Sequence, residues 1–176
     1  MILVGEVRDR ETASVAVQAA MTGHLVLASV HANDAVRVVP RMLDMGVEAY
    51  QLAAALLGAA AQRLVRRLCP DCREPQPPSA AERVFAASHG WSGDLTAWRG
   101  RGCAACGGSG YRGRIALMEA YLCRDVLSAA IAHGASLEEL RGLAKAGGLA
   151  SMARDGLAKC HEGRTSVGEV MAILSE

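Results

Sequence analysis

A chain of 176 residues that is 51% apolar can bury a real core, which excludes global disorder and fits one ordinary domain or a small core with appendages. Nineteen basic residues against 18 acidic ones give a net charge of +1, which offers nucleic acid no bulk attraction. The longest uncharged apolar run, Leu52–Ala61, is about half of the roughly 20 residues a membrane span needs, and Glu6 directly follows the short apolar start, so neither a transmembrane helix nor a signal peptide is expected.

Met1–Val4 reads as a short strand buried on both faces, as parallel-sheet strands are. Arg10–Met21, rich in Ala and Val, reads as a helix ending before Gly23, and Leu25–Val30 as a second strand, so a βαβ unit is expected. Asp34–Met45 follows as a helix that Pro40 kinks or splits, then Glu48–Ala61 as a strong Ala-rich helix. Gln62–Leu68 is ambiguous between helix end and strand; its Leu-Val pair and its approach to a cysteine pair favour strand. Cys69–Cys106 changes character, with prolines at its start, glycines at its end and Phe85, Trp91 and Trp98 between, and reads as a separate module. Tyr111–Tyr121 returns as a strand. The remainder is helical, with capping boxes expected at Ser136/Glu139 and Ser166/Glu169.

Cys69-Pro-Asp-Cys72 and Cys103-Ala-Ala-Cys106 form the most specific pattern. Each C-x-x-C turn places two thiolates about a tetrahedron edge apart, and two turns complete a four-sulfur structural zinc shell. The 30 residues between the pairs must fold as an insert. Disulfides suit a cytosolic chain poorly, and a thioredoxin-like redox pair leaves the second motif unexplained. Cys123 and Cys160 are expected as plain buried residues in helices.

Glu6, at the carboxyl end of the first strand after Gly5 and near Arg8 and Asp9, stands where NTPases place a magnesium- or water-orienting acid. The plainer role for a loop acid here is to cap the helix that begins near Arg10. His31 ends the second strand and can reach the edge that carries Glu6, the edge at which open α/β sheets bind ligands. His24 lies at the opposite end and is expected to fix the turn; His89, His133 and His161 form no constellation. Arg63, Arg66 and Arg67 make a basic cluster before the first cysteine pair, either a solvated face or a group that answers phosphate or a neighbouring subunit's acid.

In this order the motifs resemble one family. Val4-Gly5-Glu6-Val7-Arg8-Asp9 with Glu11-Thr12-Ala13 is similar to the Walker B block of the ATPases that drive type II secretion and type IV pilus assembly. Thr22–Leu27 through His31-Ala32-Asn33-Asp34-Ala35 resembles their histidine box, with Val30 where the family commonly has Thr. Gln62–Cys72 and Gly102–Arg114 resemble their tetracysteine module and its exit, which the pilus-retraction ATPases typically lack.

The resemblance implies an α/β fold: a partial RecA-like parallel sheet, a P-loop NTPase fold lacking its P-loop, with a four-cysteine zinc insert and a C-terminal helical region. Residues 1–68 would be core, 69–112 the zinc module, and 113–176 the return strand and helical subdomain. In the complete family it implies ATP and magnesium as cofactors and a homo-hexamer at the cytoplasmic face of the inner membrane. The implied partners are a membrane platform protein and recruitment proteins of the secretion or pilus machine. Glu6 would organise magnesium and the attacking water, His31 would sense the terminal phosphate, and Gly5, Arg8, Arg63, Arg66 and Arg67 would support the nucleotide or a subunit contact. No G-x-x-x-x-G-K-[ST] occurs in the 176 residues, and the family's acidic box and amino-terminal domain have no counterpart. The expectation is therefore the C-terminal part of such an ATPase, inactive alone; the competing expectation is a non-catalytic, zinc-stabilised adaptor that binds such ATPases.

Overall fold

The computed structural model describes residues 1–175. The elements run β1 (Ile2–Val7), α1 (Arg10–Met21), β2 (Val26–Val30), α2 (Val38–Asp44), α3 (Ala49–Ala55), β3 (Gly58–Leu68), β4 (Arg73–Gln76), α4 (Ala80–Ser88), β5 (Ala97–Gly100), β6 (Tyr111–Leu122), α5 (Asp125–Ala132), α6 (Leu137–Ala146), α7 (Met152–His161) and α8 (Val167–Leu174). They make two compact units, residues 1–61 with 120–149 and residues 62–119 with 150–176. Both are discontinuous in sequence.

In the first unit β1 and β2 are parallel, with Ile2 opposite Val26, Leu3 opposite Leu27 and Val4 opposite Ala28. Helix α1 starts where expected because the Asp9 carboxylate accepts the Thr12 N–H at 2.8 Å. It buries Ala13, Ala16 and Val17, a spacing of three and four that makes one helical face. That face joins Val7, Val39, Leu52, Ile131 and Leu140 in one apolar cluster.

Three expectations change here. β1 is not buried on both faces: Leu3 is 78% and Leu27 49% exposed, because α1 covers one face and, among the described residues, β1–β2 is a two-stranded sheet. Pro40 neither kinks nor splits a helix: α2 begins at Val38, so Pro40 occupies the first turn, where its missing N–H has no intrahelical acceptor to lose. The helix expected over Glu48–Ala61 ends at Ala55. A Cβ on Gly58 would lie 2.5 Å from the Tyr121 carbonyl, so the backbone of β6 runs against this segment, and strand pairing overrides alanine's helix preference. Gln62–Leu68 is the rest of that strand.

The second unit holds the cysteine-rich segment, whose insert contains a β4–β5 ribbon and helix α4, neither read from the sequence. Arg73 pairs with Gly100 and Gln76 with Ala97, antiparallel. Ser79 and Glu82 form a full capping box on α4, and both Glu82 oxygens also accept from Arg99 at 3.0 Å. Leu68, Leu117, Leu157, Val167 and Val170 are fully buried.

The Ser136/Glu139 capping box forms as expected, but at α8 only half of one does. Ser166 accepts the Glu169 N–H, while the Glu169 carboxylate turns to Arg66 and accepts from both its backbone N–H and its guanidinium. Cys160 is buried in α7 as expected. Cys123 is half-buried in the link between β6 and α5, not in a helix, and its N–H donates to the Leu57 carbonyl at 2.9 Å.

Candidate functional site

The first candidate site is built by a bulge. From Val4 to Val7 β1 advances three residues while β2 advances two, from Ala28 to Val30, so the Gly5–Glu6 step carries an extra residue. A bulge of this kind re-aims side chains next to it. The Gly5 carbonyl, displaced from the ladder, accepts a hydrogen bond from the Ser29 hydroxyl. Ser29 is the site residue that sequence reasoning passed over; its signal was Gly5, since an isolated glycine inside a strand marks a bulge.

The bulge and the parallel register bring Glu6, Arg8 and His31 together. Arg8 binds Oε2 of Glu6 and His31 Nε2 lies against Oε1. The Arg8 hydrogen bond, helped by the charges of Arg8 and His31, holds the Glu6 carboxyl below its ordinary 4.5 despite some desolvation. Oε1 itself is buried, with His31 Nε2 as its neighbour. Asp9 caps α1, so Glu6 is not spent on that plainer role. His31 is 80% exposed at its side chain, while Glu6 is mostly covered. His24, at the other end of β2, meets the Thr22 hydroxyl at 3.3 Å, as a turn-fixing residue would.

The second candidate site, in the other unit, is the cysteine cluster. The Sγ atoms of Cys69, Cys72, Cys103 and Cys106 all lie within 4.8 Å of one another. Cys69–Cys103 and Cys72–Cys106 are each 3.9 Å apart, and Cys103–Cys106 is 3.7 Å. Tetrahedral zinc with bonds of about 2.3 Å needs sulfurs about 3.8 Å apart, so the donor set and its spacing fit that ion.

The knuckles are stitched by backbone bonds, Cys69 N–H to the Gly110 carbonyl at 2.9 Å and Arg101 N–H to the Cys72 carbonyl at 3.0 Å. A Cβ on Gly100 would collide with the Gly110 backbone, so this close approach requires glycine. The N–H groups of Cys103 and Gly110 each reach Cys106 Sγ at 3.2 Å and draw its pKa down to about 6, Cys103 contributing more. Burial pushes Cys69 up and Cys72 to about 12. A bound dication reverses that burial penalty, since coordination deprotonates thiols outright.

The three arginines Arg63, Arg66 and Arg67 all lie on β3. Arg66 binds both carboxylate oxygens of Glu169, at 3.0 and 2.6 Å, and stacks over the Tyr111 ring at 4.2 Å. By strand alternation Arg63 and Arg67 share the face opposite to that of Arg66; Arg67 is exposed and Arg63 half-buried. No helix among the described residues is long and apolar enough to cross a membrane.

Residues 1–172 match the model of the family described as type II/IV secretion system protein. The chain belongs to that family. The type IV pilus assembly ATPase PilB of Thermus thermophilus is 42% identical over 173 residues, 98% of this chain and 20% of that protein. The type II secretion system protein E of Aeromonas hydrophila is 43% identical over 176 residues, 100% of this chain and 35% of that protein. This family member thus spans about a third or less of the relatives it matches. Among solved structures, the Legionella pneumophila ATPase DotB has a TM-score of 0.65 at 18% identity, covering 99% of this chain and 38% of its own. The pilus retraction motor PilT with bound ADP has a TM-score of 0.62 at 20% identity, covering 98% and 39%. The mixed α/β fold of this secretion-family chain is therefore one shared with ATPases.

Proposed function

We propose that this chain supplies the Walker B-to-carboxyl-terminal part of the motor of a type II secretion or type IV pilus assembly ATPase. The observation that carries the reading is the meeting of Glu6 and His31 at the carboxyl ends of two adjacent parallel strands. Arg8 keeps Glu6 ionised and His31 lies against its other oxygen, a pairing of acid and imidazole that suits a carboxylate organising magnesium and an attacking water. His31, exposed beside it, is the group to sense the terminal phosphate. Magnesium, when bound, neutralises charge on the phosphate oxygens. The contribution of this chain is to present an ionised acid and an imidazole from a sheet edge.

The 176 residues contain no P-loop sequence, so the phosphate cradle belongs to another part of the motor. On this reading the complete assembly is a hexamer at the cytoplasmic face of the inner membrane, working with a platform protein and recruitment proteins. Cys69, Cys72, Cys103 and Cys106 hold a structural zinc, with all four positions filled by protein and none open for water.

The test is ATP turnover by the isolated chain. None above background is expected. Turnover that Glu6→Gln abolishes would contradict the half-site reading, and a stable complex with an intact secretion ATPase, without effect of Glu6→Gln on that complex's turnover, would favour the adaptor.

A further inference from the structure

The loop that presents His31 leaves β2 after Val30 and enters α2 at Val38. His31 itself is largely exposed, so its pose against Glu6 depends on what fixes the loop. Ala35 and Val36 are buried in the apolar cluster of the first unit. Between them and His31 stands Asp34, whose carboxylate ties the turn in two directions. Oδ1 accepts the Arg37 N–H at 2.9 Å, closing the turn into α2. Oδ2 accepts from Arg141 Nη2 at 2.5 Å and lies 3.3 Å from Arg37 Nε.

Arg141 comes from α6, 107 positions further along the chain. Its helix is a firm mount: Leu140 and Ala144 are buried in the same cluster, and the capping box at Ser136 fixes the start of the helix. The Arg141 side chain is 40% exposed and that of Asp34 24%, so the pair adds little to global stability. A guanidinium is a planar, rigid donor, and what it gives Asp34 is direction.

We propose that Arg141 is a positioning residue for His31: through Asp34 it holds the loop between β2 and α2 in the pose that sets His31 against Glu6, which makes α6 part of the support of the nucleotide edge. The consequence for ATP turnover rests on the reading above. The pose of His31 does not, and it is measured without nucleotide.

The experiment is NMR of the 176-residue chain with isotope-labelled histidine rings, the His31 signals assigned by His31→Gln. Glu6→Gln provides the reference for a His31 ring without its carboxylate neighbour. Arg141→Met is expected to move the His31 ring signals at least halfway from the wild-type toward the Glu6→Gln position, and Arg141→Lys to recover part of that shift. His31 signals that stay at the wild-type position in Arg141→Met, or a shift that Arg141→Lys does not reduce, overturn the proposal, whatever happens to the melting temperature. Should Arg141→Met fail to fold, Asp34→Asn decides, because it keeps the Oδ1 acceptor for the Arg37 N–H: a His31 shift supports the proposal and an unmoved signal overturns it. A catalytic role for Glu6 that fails in turnover assays leaves this result unaffected.

Discussion

The cysteine cluster and the Glu6–His31 edge differ in closure. The cluster is complete within the chain: four thiols within 4.8 Å, two knuckles stitched by backbone bonds, and N–H groups already aimed at Cys106. The edge is open: an imidazole 80% exposed at its side chain stands over the Glu6 carboxylate, and the 176 residues hold no phosphate-cradling sequence. On the proposed function the difference has a reason: a structural metal site must be self-sufficient to stabilise its module, whereas a catalytic edge has to leave room for substrate and for groups carried elsewhere.

The largest effect that would break this contrast is on the metal. One zinc per chain is expected, and structural zinc contributes about 10–16 kcal/mol to the folding of small modules. Chelation or Cys72→Ser should therefore abolish the near-ultraviolet dichroism of Trp98, which donates to the His161 carbonyl in the second unit, and leave the amide protection of α1 and α5 in place. Sub-stoichiometric metal in protein purified under reducing conditions, or equal loss in both units, would contradict a self-sufficient centre.

A smaller effect belongs to the clasp beside that centre. Arg66 holds Glu169 below the ordinary 4.5, mainly through their side-chain hydrogen bonds. A depressed folded pKa means stability that is full above 4.5 and is lost as pH falls through the lower folded value. Glu169→Gln should cost about 1 kcal/mol at neutral pH, the discounted value for a partly exposed pair, and urea titrations should show the gap to wild type closing in acid. A gap that does not narrow would assign the cost to packing.

The smallest effect sharpens the open edge. Ser29→Ala removes the donor to the bulged Gly5 carbonyl and should cost about 1 kcal/mol or less, because water can replace it at an exposed position. Its mark is local: amide exchange should rise at Glu6 and Val7 and remain unchanged at Leu68 and Cys69.

What was legible in the sequence follows from how local each cause is. Helix α1 was readable because its Ala- and Val-rich run and the glycine past its end lie within 15 residues of one another, and the capping box at Ser136 is a four-residue pattern. The four cysteines were readable because sulfur has few other uses at that spacing. Causes distant in sequence stayed hidden. The end of α3 at Ala55 is set by the Tyr121 backbone against Gly58, and the half-made cap on α8 by Arg66, 103 residues from Glu169. The β4–β5 ribbon escaped because Arg73–Gln76 is four residues with a proline and no apolar alternation, a strand held by its partner alone. At the open edge Glu6 and His31 were legible as strand-end residues, while the bulge that aims Glu6 is a property of register, which one strand's sequence does not carry.

The central claim, that Glu6 and His31 are the chemical half of a nucleotide site, is tested most directly in a chimera. Residues 1–172 of this chain would replace the matching segment of the Aeromonas hydrophila type II secretion system protein E, once that chimera is shown to turn over ATP. With Glu6→Gln, nucleotide binding is expected to be retained and turnover to fall about 100-fold or more, the range for losing a group that handles the attacking water. Turnover unchanged by Glu6→Gln would contradict that claim.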